Sequence, residues 1–91
     1  METEGLALVI NKNEISKTVI QVLAKTLLKK EEDVRPEHAL VEDLEMDSFY
    51  AVELLFDLED RYGIEIPDEE AENFKKVQDI IEYIKNRLEQ K

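Results

Sequence analysis

The chain has 91 residues, enough for one domain with a small core, and 43% of them are hydrophobic, so it can fold. It contains no cysteine, which excludes disulfides, thiolate metal sites and a cysteine nucleophile. The net charge is −11, and residues 31–74 hold seventeen acids against only Arg35 and Arg61. Such a field repels nucleic acid and attracts basic proteins, so we expect protein partners and no nucleic acid, although a charged block often serves only solubility.

The beginning of the chain is predicted to be an N-terminal tail, residues 1–13, ahead of a single domain at residues 14–90. Residues 6–10 are apolar and compatible with a short strand, although no partner strand is evident. This run is too short for a signal peptide or a membrane span. We therefore expect no membrane span, and we expect a cytoplasmic monomer.

The first amphipathic helix is predicted at residues 14–29, with Asn13 as its N-cap. Its apolar residues recur at helical spacing and are Ile15, Val19, Val22, Leu23 and Leu27. A long connection follows over residues 30–47. Leu40 and Leu44 are expected to reach the core from this connection.

The second helix should begin at Asp47 or Ser48, both good N-caps, and end at Gly63. Its predicted core face comprises Ala51, Leu54, Leu55, Leu58 and Tyr62. A second apolar set, spaced i, i+3 and i+7, comprises Phe49, Val52 and Phe56. For Val52, burial and exposure are equally compatible with the pattern. Phe56 lies between acids on the helical wheel, so we predict that it is exposed and docks a partner, rather than being buried by a wider core.

The rest of the chain is predicted to contain an extended connector at residues 64–67, a short helix at residues 68–74 and a last helix at residues 76–89. No sheet is expected. The predicted fold is therefore all-α, a small antiparallel bundle of three main helices plus one short helix, with a long first loop.

The candidate chemistry is limited to one hydroxyl. An EF-hand loop around Gly63 would need ligands at Leu58 and Tyr62, which cannot bind calcium, so no metal site is predicted. Ser48 lacks the G-x-S-x-G setting of a hydrolase, and no His or Cys lies close to it in the sequence. A free-standing enzyme is therefore not expected. Ser48 is either an ordinary helix cap or a serine that another enzyme modifies. If the attached group were linked through a phosphate, its negative charge would lie at the positive N-terminal end of the helix, which favours an anion.

Two segments carry a family resemblance. Residues 47–49 read Asp-Ser-Phe, and residues 66–72 read I-P-D-E-E-A-E. At this spacing the two segments closely resemble the acyl carrier protein family, and the likeness extends over about residues 14–88.

The resemblance implies a carrier. Ser48 would bear 4′-phosphopantetheine, transferred from coenzyme A by a phosphopantetheinyl transferase, and Asp47 would belong to the attachment motif. Acyl groups would be held as thioesters on the arm in fatty-acid or related lipid or polyketide biosynthesis, and the bundle interior would shelter them. Acyl transferases, ketoacyl synthases and related enzymes would dock through basic patches. The implied docking residues are Phe49, Val52, Glu53, Phe56, Asp57, Glu59 and Asp60.

Four positions depart from the family pattern. Glu45 replaces the usual Gly before the Asp-Ser step, which allows a different loop backbone. Phe49 replaces the commoner Leu, and Tyr50 and Arg61 stand where primary fatty-acid carriers often have acids. Two alternatives therefore stay open. One is a specialised carrier of aminoacyl or other non-fatty cargo, and the other is a cofactor-free acidic helical module that binds a basic partner.

Overall fold

The computed structural model describes residues 12–89, and the regular structure in this range is helical. The α-helices are α1 (Lys12–Leu27), α2 (Ser48–Tyr62), α3 (Asp68–Ala71) and α4 (Val77–Glu89). A 3₁₀ turn at Glu31–Asp33 lies in the long loop between α1 and α2. Helix α1 packs against both α2 and α4. Within the described range, β pairing is limited to one isolated bridge between Ala39 and Lys76. The predicted all-α fold with three main helices and one short helix is confirmed.

The start of α1 differs from the prediction. The chain is already helical at Lys12, the first described residue, so Asn13 lies in the first described turn of α1 and is not the N-cap. The Lys12 Nζ donates a hydrogen bond to the Glu82 carboxylate of α4, which attaches this first turn to the bundle. This contact joins residues far apart in the sequence, which is why local capping signals did not reveal it. The predicted tail up to residue 11, its possible strand at residues 6–10, and residue 90 lie outside the described residues.

The end of α1 also differs, because the helix stops at Leu27 and not at residue 29. Leu28 has a φ of 59°, in the left-handed region. The Lys29 N–H donates to the Ala24 carbonyl at 2.8 Å, and the Leu28 N–H donates to the Lys25 carbonyl at 3.4 Å. These two bonds form a Schellman motif, which ends a helix by satisfying its last carbonyls.

Helix α3 is shorter than the predicted 68–74 and ends at Ala71. The Asn73 and Phe74 N–H groups bond three residues back, to the carbonyls of Glu70 and Ala71, so the chain tightens into turns. Phe74 instead packs on Tyr83 of α4, edge to face, with 5.4 Å between ring centroids. One turn of helix has little stability of its own, so this tertiary contact decides where α3 ends.

The core lies between α1, α2 and α4 and is closed by the connecting segments. All the buried side chains of the described range are hydrophobic. The predicted apolar faces supply most of them, including Leu54 and Leu58 of α2, while Leu55 and Tyr62 pack at its edge. Leu40 and Leu44 of the long loop are buried, as predicted. Burial of these loop residues holds the segment before α2 against the bundle.

Hydrogen bonds attach the long loop to the start of α4. The Leu40 N–H donates to the Lys75 carbonyl at 2.8 Å. In the opposite direction, the Val77 N–H donates to the His38 carbonyl at 3.1 Å, and the Gln78 N–H donates to the Pro36 carbonyl at 2.9 Å. The first N–H groups of α4, which have no partner within the helix, are thus satisfied by the loop. The loop therefore has a fixed path up to Ser48.

Candidate modification site and docking surface

Ser48 is the first residue of α2, and its side chain is exposed. Asp47 has extended backbone and is the N-cap, with its carboxylate accepting from the Tyr50 N–H at 3.1 Å. The Met46 N–H donates to the Leu40 carbonyl at 3.0 Å, which links the residues before the cap to the buried part of the loop. The Ser48 hydroxyl is therefore held at a defined place at the N-terminus of α2, open to an incoming enzyme.

The loop immediately before this site contains an unusual backbone angle. Glu45 has a φ of 59°, and its N–H donates to the Val41 carbonyl at 3.0 Å. Glycine adopts this left-handed conformation readily, whereas a residue with a Cβ does so at a cost in free energy. The loop thus has a glycine-like backbone at the position where the sequence carries Glu45.

The carboxylate next to Ser48 in the sequence, that of Asp47, is engaged as the N-cap of α2. None of the polar or charged residues between positions 12 and 89 is buried, and no cluster of three or more metal-ligating side chains occurs there. The His38 Nδ1 accepts from the Arg35 N–H at 3.2 Å and so serves a turn of the loop. Such an arrangement suits a serine that is modified by another protein.

Two surface ion pairs each shift the pKa of one of their members, and both pairs lie away from α2. The hydrogen bond from Lys12 lowers the pKa of Glu82, and the hydrogen bond to Glu89 raises the pKa of Lys85. Both stabilise the charged forms that are already present at neutral pH. They belong to the surfaces of α1 and α4 and bring no proton-transfer group to Ser48.

The outer face of α2 combines apolar and acidic side chains. Phe49, Val52 and Phe56, here called the apolar stripe, are 66%, 50% and 67% exposed. The predicted exposure of Phe56 is confirmed, and Val52 is exposed too. Glu53 and Asp60 are exposed beside them. A contiguous exposed apolar stripe edged by carboxylates is the usual appearance of a protein-binding surface.

Two of the predicted docking acids also have partners inside the molecule. The Asp57 carboxylate accepts from the Arg61 Nε at 3.0 Å, one turn along α2. The Glu59 carboxylate accepts from the Ile66 N–H at 2.7 Å and is half-buried. Glu59 therefore connects α2 to the segment before α3, in addition to any contact that it makes with a partner.

Leu28 is 85% exposed and is not among the predicted site residues. The sequence pattern predicts it inside the first helix, whereas it lies one residue beyond the end of α1. An open groove of about 560 Å³ separates this point from α2. The groove is lined by Lys25, Thr26, Leu28, Tyr50, Glu53, Phe56 and Asp57. Residues 14–30 contain no glycine or asparagine that would mark the end of the first helix, so no local signal in the sequence indicated the position of Leu28.

A small apolar cavity of about 40 Å³ lies in the interior beside α2. Its lining residues are Leu40, Met46, Ala51, Leu54, Leu55, Ala71, Phe74 and Ile80. Phe74 is held by Tyr83, whose hydroxyl accepts from the Arg87 Nη1 at 2.9 Å. Met46 precedes Ser48 by two residues, so the cavity begins close to the Ser48 hydroxyl.

These features define a class of protein: a small helical domain with an exposed serine at the start of a helix whose outer face is acidic and apolar. The family model described as a phosphopantetheine attachment site matches residues 17–84. An acyl carrier protein of Thermosynechococcus vestitus is 44% identical over 79 residues, covering 87% of this chain and 98% of that protein. An acyl carrier protein of Rickettsia canadensis is 41% identical over 75 residues, covering 82% of this chain and 87% of that protein. An acyl carrier protein of Rickettsia bellii is 40% identical over 73 residues, covering 80% of this chain and 85% of that protein.

The chain belongs to the acyl carrier protein family, whose members are carriers and not enzymes. The cofactor of this family is 4′-phosphopantetheine, and the members interact with a phosphopantetheinyl transferase and with biosynthetic enzymes. An exposed serine hydroxyl at the start of a helix fits a phosphate-linked group, because the helix dipole favours an anion there. No helix within residues 12–89 has the length and the apolar run needed to cross a bilayer.

Proposed function

We propose that Ser48 is the attachment site and that the chain holds acyl intermediates as thioesters on its 4′-phosphopantetheine arm. The observation that carries this proposal is the exposed Ser48 at the Asp47-capped start of α2, with no buried titratable group in the described part of the chain. The arm supplies the thiol, which explains how a chain without cysteine can carry thioesters.

The outer face of α2 is proposed to dock the enzymes that load, extend and unload the arm. Phosphopantetheinyl transferase, acyl transferases and ketoacyl synthases with basic patches would meet Glu53, Asp57, Glu59 and Asp60. The apolar stripe of Phe49, Val52 and Phe56 would supply the contact area. Charge steers such encounters and raises their rate, whereas buried apolar contacts contribute more to the lifetime of the complex.

The cavity beside Met46 is proposed as the place where the first methylene groups of an acyl chain enter the bundle. Its lining is apolar, and its volume of about 40 Å³ is close to that of one small group. A longer chain therefore has to displace side chains, and Leu55 and Phe74, which are only partly buried, border that path. Interior packing of this kind yields by discrete rearrangement and not by uniform swelling.

The attachment site is tested by intact-protein mass spectrometry after incubation with coenzyme A and a broad-specificity phosphopantetheinyl transferase. We expect the wild-type chain to gain the mass of one phosphopantetheine group and the Ser48→Ala variant to gain none. Ser16, which lies on α1, provides a matched control, because Ser16→Ala should be modified like the wild type. A wild-type chain without mass gain, or an equal gain on Ser48→Ala, contradicts the proposal.

Fatty-acid or related acyl biosynthesis is the proposed pathway class. Tyr50 and Arg61, which reduce the acidity at the two ends of α2, favour a specialised carrier over a primary one as a second candidate. Loading assays distinguish the two: a malonyl transferase should load the arm of a fatty-acid carrier, and an adenylating enzyme that of an aminoacyl carrier. We further propose that the protein acts in the cytoplasm, since a chain without cysteine fits a reducing compartment.

A further inference from the structure

Leu28 has two features that do not favour the stability of the isolated chain. Its side chain is 85% exposed, so burial contributes little, and its φ of 59° is a conformation that a leucine rarely adopts. The two hydrogen bonds of the Schellman motif require this backbone angle, and a glycine would meet the requirement without strain. The leucine side chain therefore has no evident role in folding, and a strained exposed residue invites a functional explanation.

The groove beside Leu28 provides that explanation. Leu28 borders it from the end of α1, while Tyr50 and Phe56 border it from α2. The three side chains extend the apolar stripe away from α2 towards the C-terminal end of α1. Along α2, Phe56 is eight residues from Ser48, or about 12 Å at the helical rise per residue. A protein that fills the groove therefore also lies over the modifiable serine.

The charges at the groove indicate what fills it. Glu53 and Asp57 line it together with one lysine, Lys25, and Asp60 lies further along α2. A second copy of the chain would bring like carboxylates together, in a molecule whose net charge is −11. A partner with an apolar side chain flanked by Lys or Arg would match both the groove and its edge.

We propose that Leu28, Tyr50 and Phe56 form a docking groove for the enzyme that modifies Ser48, and that this enzyme inserts an apolar side chain flanked by basic ones. This inference rests on the proposed function. It assigns part of the docking surface to the end of α1, which the predicted set of α2 residues did not include.

The test measures kcat/KM for the modification of Ser48 by a broad-specificity phosphopantetheinyl transferase with coenzyme A. Leu28→Gly removes the side chain and suits the left-handed backbone, and Leu28→Asn replaces it by a polar residue that tolerates the same angle. We expect both variants to lose about fivefold or more in kcat/KM through a higher KM, as for truncation of an interface anchor. Leu28→Gly should at the same time melt at or above the wild-type temperature, which separates lost docking from lost folding.

Val41 provides the matched control, because it is also apolar and 62% exposed but does not line the groove. Val41→Ala should remain within about twofold of the wild type. If the wild-type chain is modified and both Leu28 variants have the same KM as the wild type, the docking role of the groove is overturned and the proposed function stays intact. A wild-type chain that sediments as a dimer, with Leu28→Gly a monomer, would assign the groove to a second copy and also overturn the proposal. Absence of modification on the wild type would contradict the proposed function and this inference together.

Discussion

The Glu59 carboxylate accepts a hydrogen bond of 2.7 Å from the Ile66 N–H, joining α2 to the segment that follows it. Between them the chain turns at Gly63, which has a φ of 63° and ends α2 with bonds from the Gly63 and Ile64 N–H groups to the Glu59 carbonyl. Ile64 and Ile66 are both buried. Glu59 thus satisfies the backbone of a segment that closes the core, through both its carbonyl and its side chain.

We expect Glu59→Ala to lower the free energy of unfolding by about 1–3 kcal/mol, because the N–H of buried Ile66 loses its acceptor. Glu59→Gln retains an acceptor and should lose less. Asp60→Ala, at the exposed neighbour, should stay within about 0.5 kcal/mol of the wild type. Urea unfolding followed by circular dichroism measures all three. An equal urea midpoint for Glu59→Ala and Asp60→Ala would show that the hydrogen bond between the Ile66 N–H and the Glu59 carboxylate contributes nothing to stability.

Glu45 provides a second test of stability. Its φ of 59° places a residue with a Cβ in the left-handed region. Replacement by glycine removes that strain, which is about 1–2 kcal/mol, but adds conformational freedom to the unfolded chain. We expect Glu45→Gly to raise the free energy of unfolding by about 0.5–1 kcal/mol. Val41→Gly in the same loop is the control and should not stabilise. A lower urea midpoint for Glu45→Gly would mean that the Glu45 side chain makes a contact that outweighs the strain.

Helix α2 was predicted to within a residue because both of its ends have strong local signals. Asp47 accepts from the Tyr50 N–H as an N-cap, and Gly63 provides the left-handed residue that stops the helix. Helical periodicity grouped Phe49, Val52 and Phe56 on one stripe and predicted exposure for Phe56, whereas it left Val52 undecided. The position of Ser48 at the start of α2 follows from the capping signal at Asp47.

The ends of α1 and α3 were not predicted, and the reasons are physical. A contact between Lys12 and Glu82 of α4 holds the first described turn of α1, and the helix stops before Leu28, whose left-handed conformation favours glycine. Helix α3 ends where Phe74 turns to pack on Tyr83. These contacts depend on how the elements come together, and a local pattern carries no information about them. The groove beside Leu28 and the structural role of Glu59 were missed for the same reason.

Asp47 tests whether the cap alone fixes the start of α2. Asp47→Ala removes the acceptor of the Tyr50 N–H, and we expect it to lower the free energy of unfolding by about 1 kcal/mol. Asp47→Asn keeps a side-chain oxygen in the same place and should remain within about 0.5 kcal/mol of the wild type, since only the charge at the helix end changes. Thermal unfolding by circular dichroism compares the two. If Asn destabilises as much as Ala, the carboxylate charge and not the hydrogen bond stabilises the start of α2.

The balance between charge and apolar contact in docking can be measured with salt. The Debye length falls from about 10 Å at 0.1 M to about 3 Å at 1 M, which screens exposed carboxylates from a basic partner. We expect the association rate of the phosphopantetheinyl transferase to fall steeply over this range, because Glu53 and Asp60 are exposed on the proposed docking face. Stopped-flow measurements at increasing salt concentration give the slope of the association rate against salt.

Two variants separate the contributions to that slope. Glu53→Gln removes one charge and should flatten the dependence of the association rate on salt. Val52→Ala removes part of the apolar stripe, so it should leave the slope unchanged and raise the dissociation rate. Thermal melts of both variants at each salt concentration confirm that the fold is intact. An association rate that does not respond to salt would mean that the seventeen acids of residues 31–74 do not steer the partner, and that the apolar stripe and its groove account for recognition.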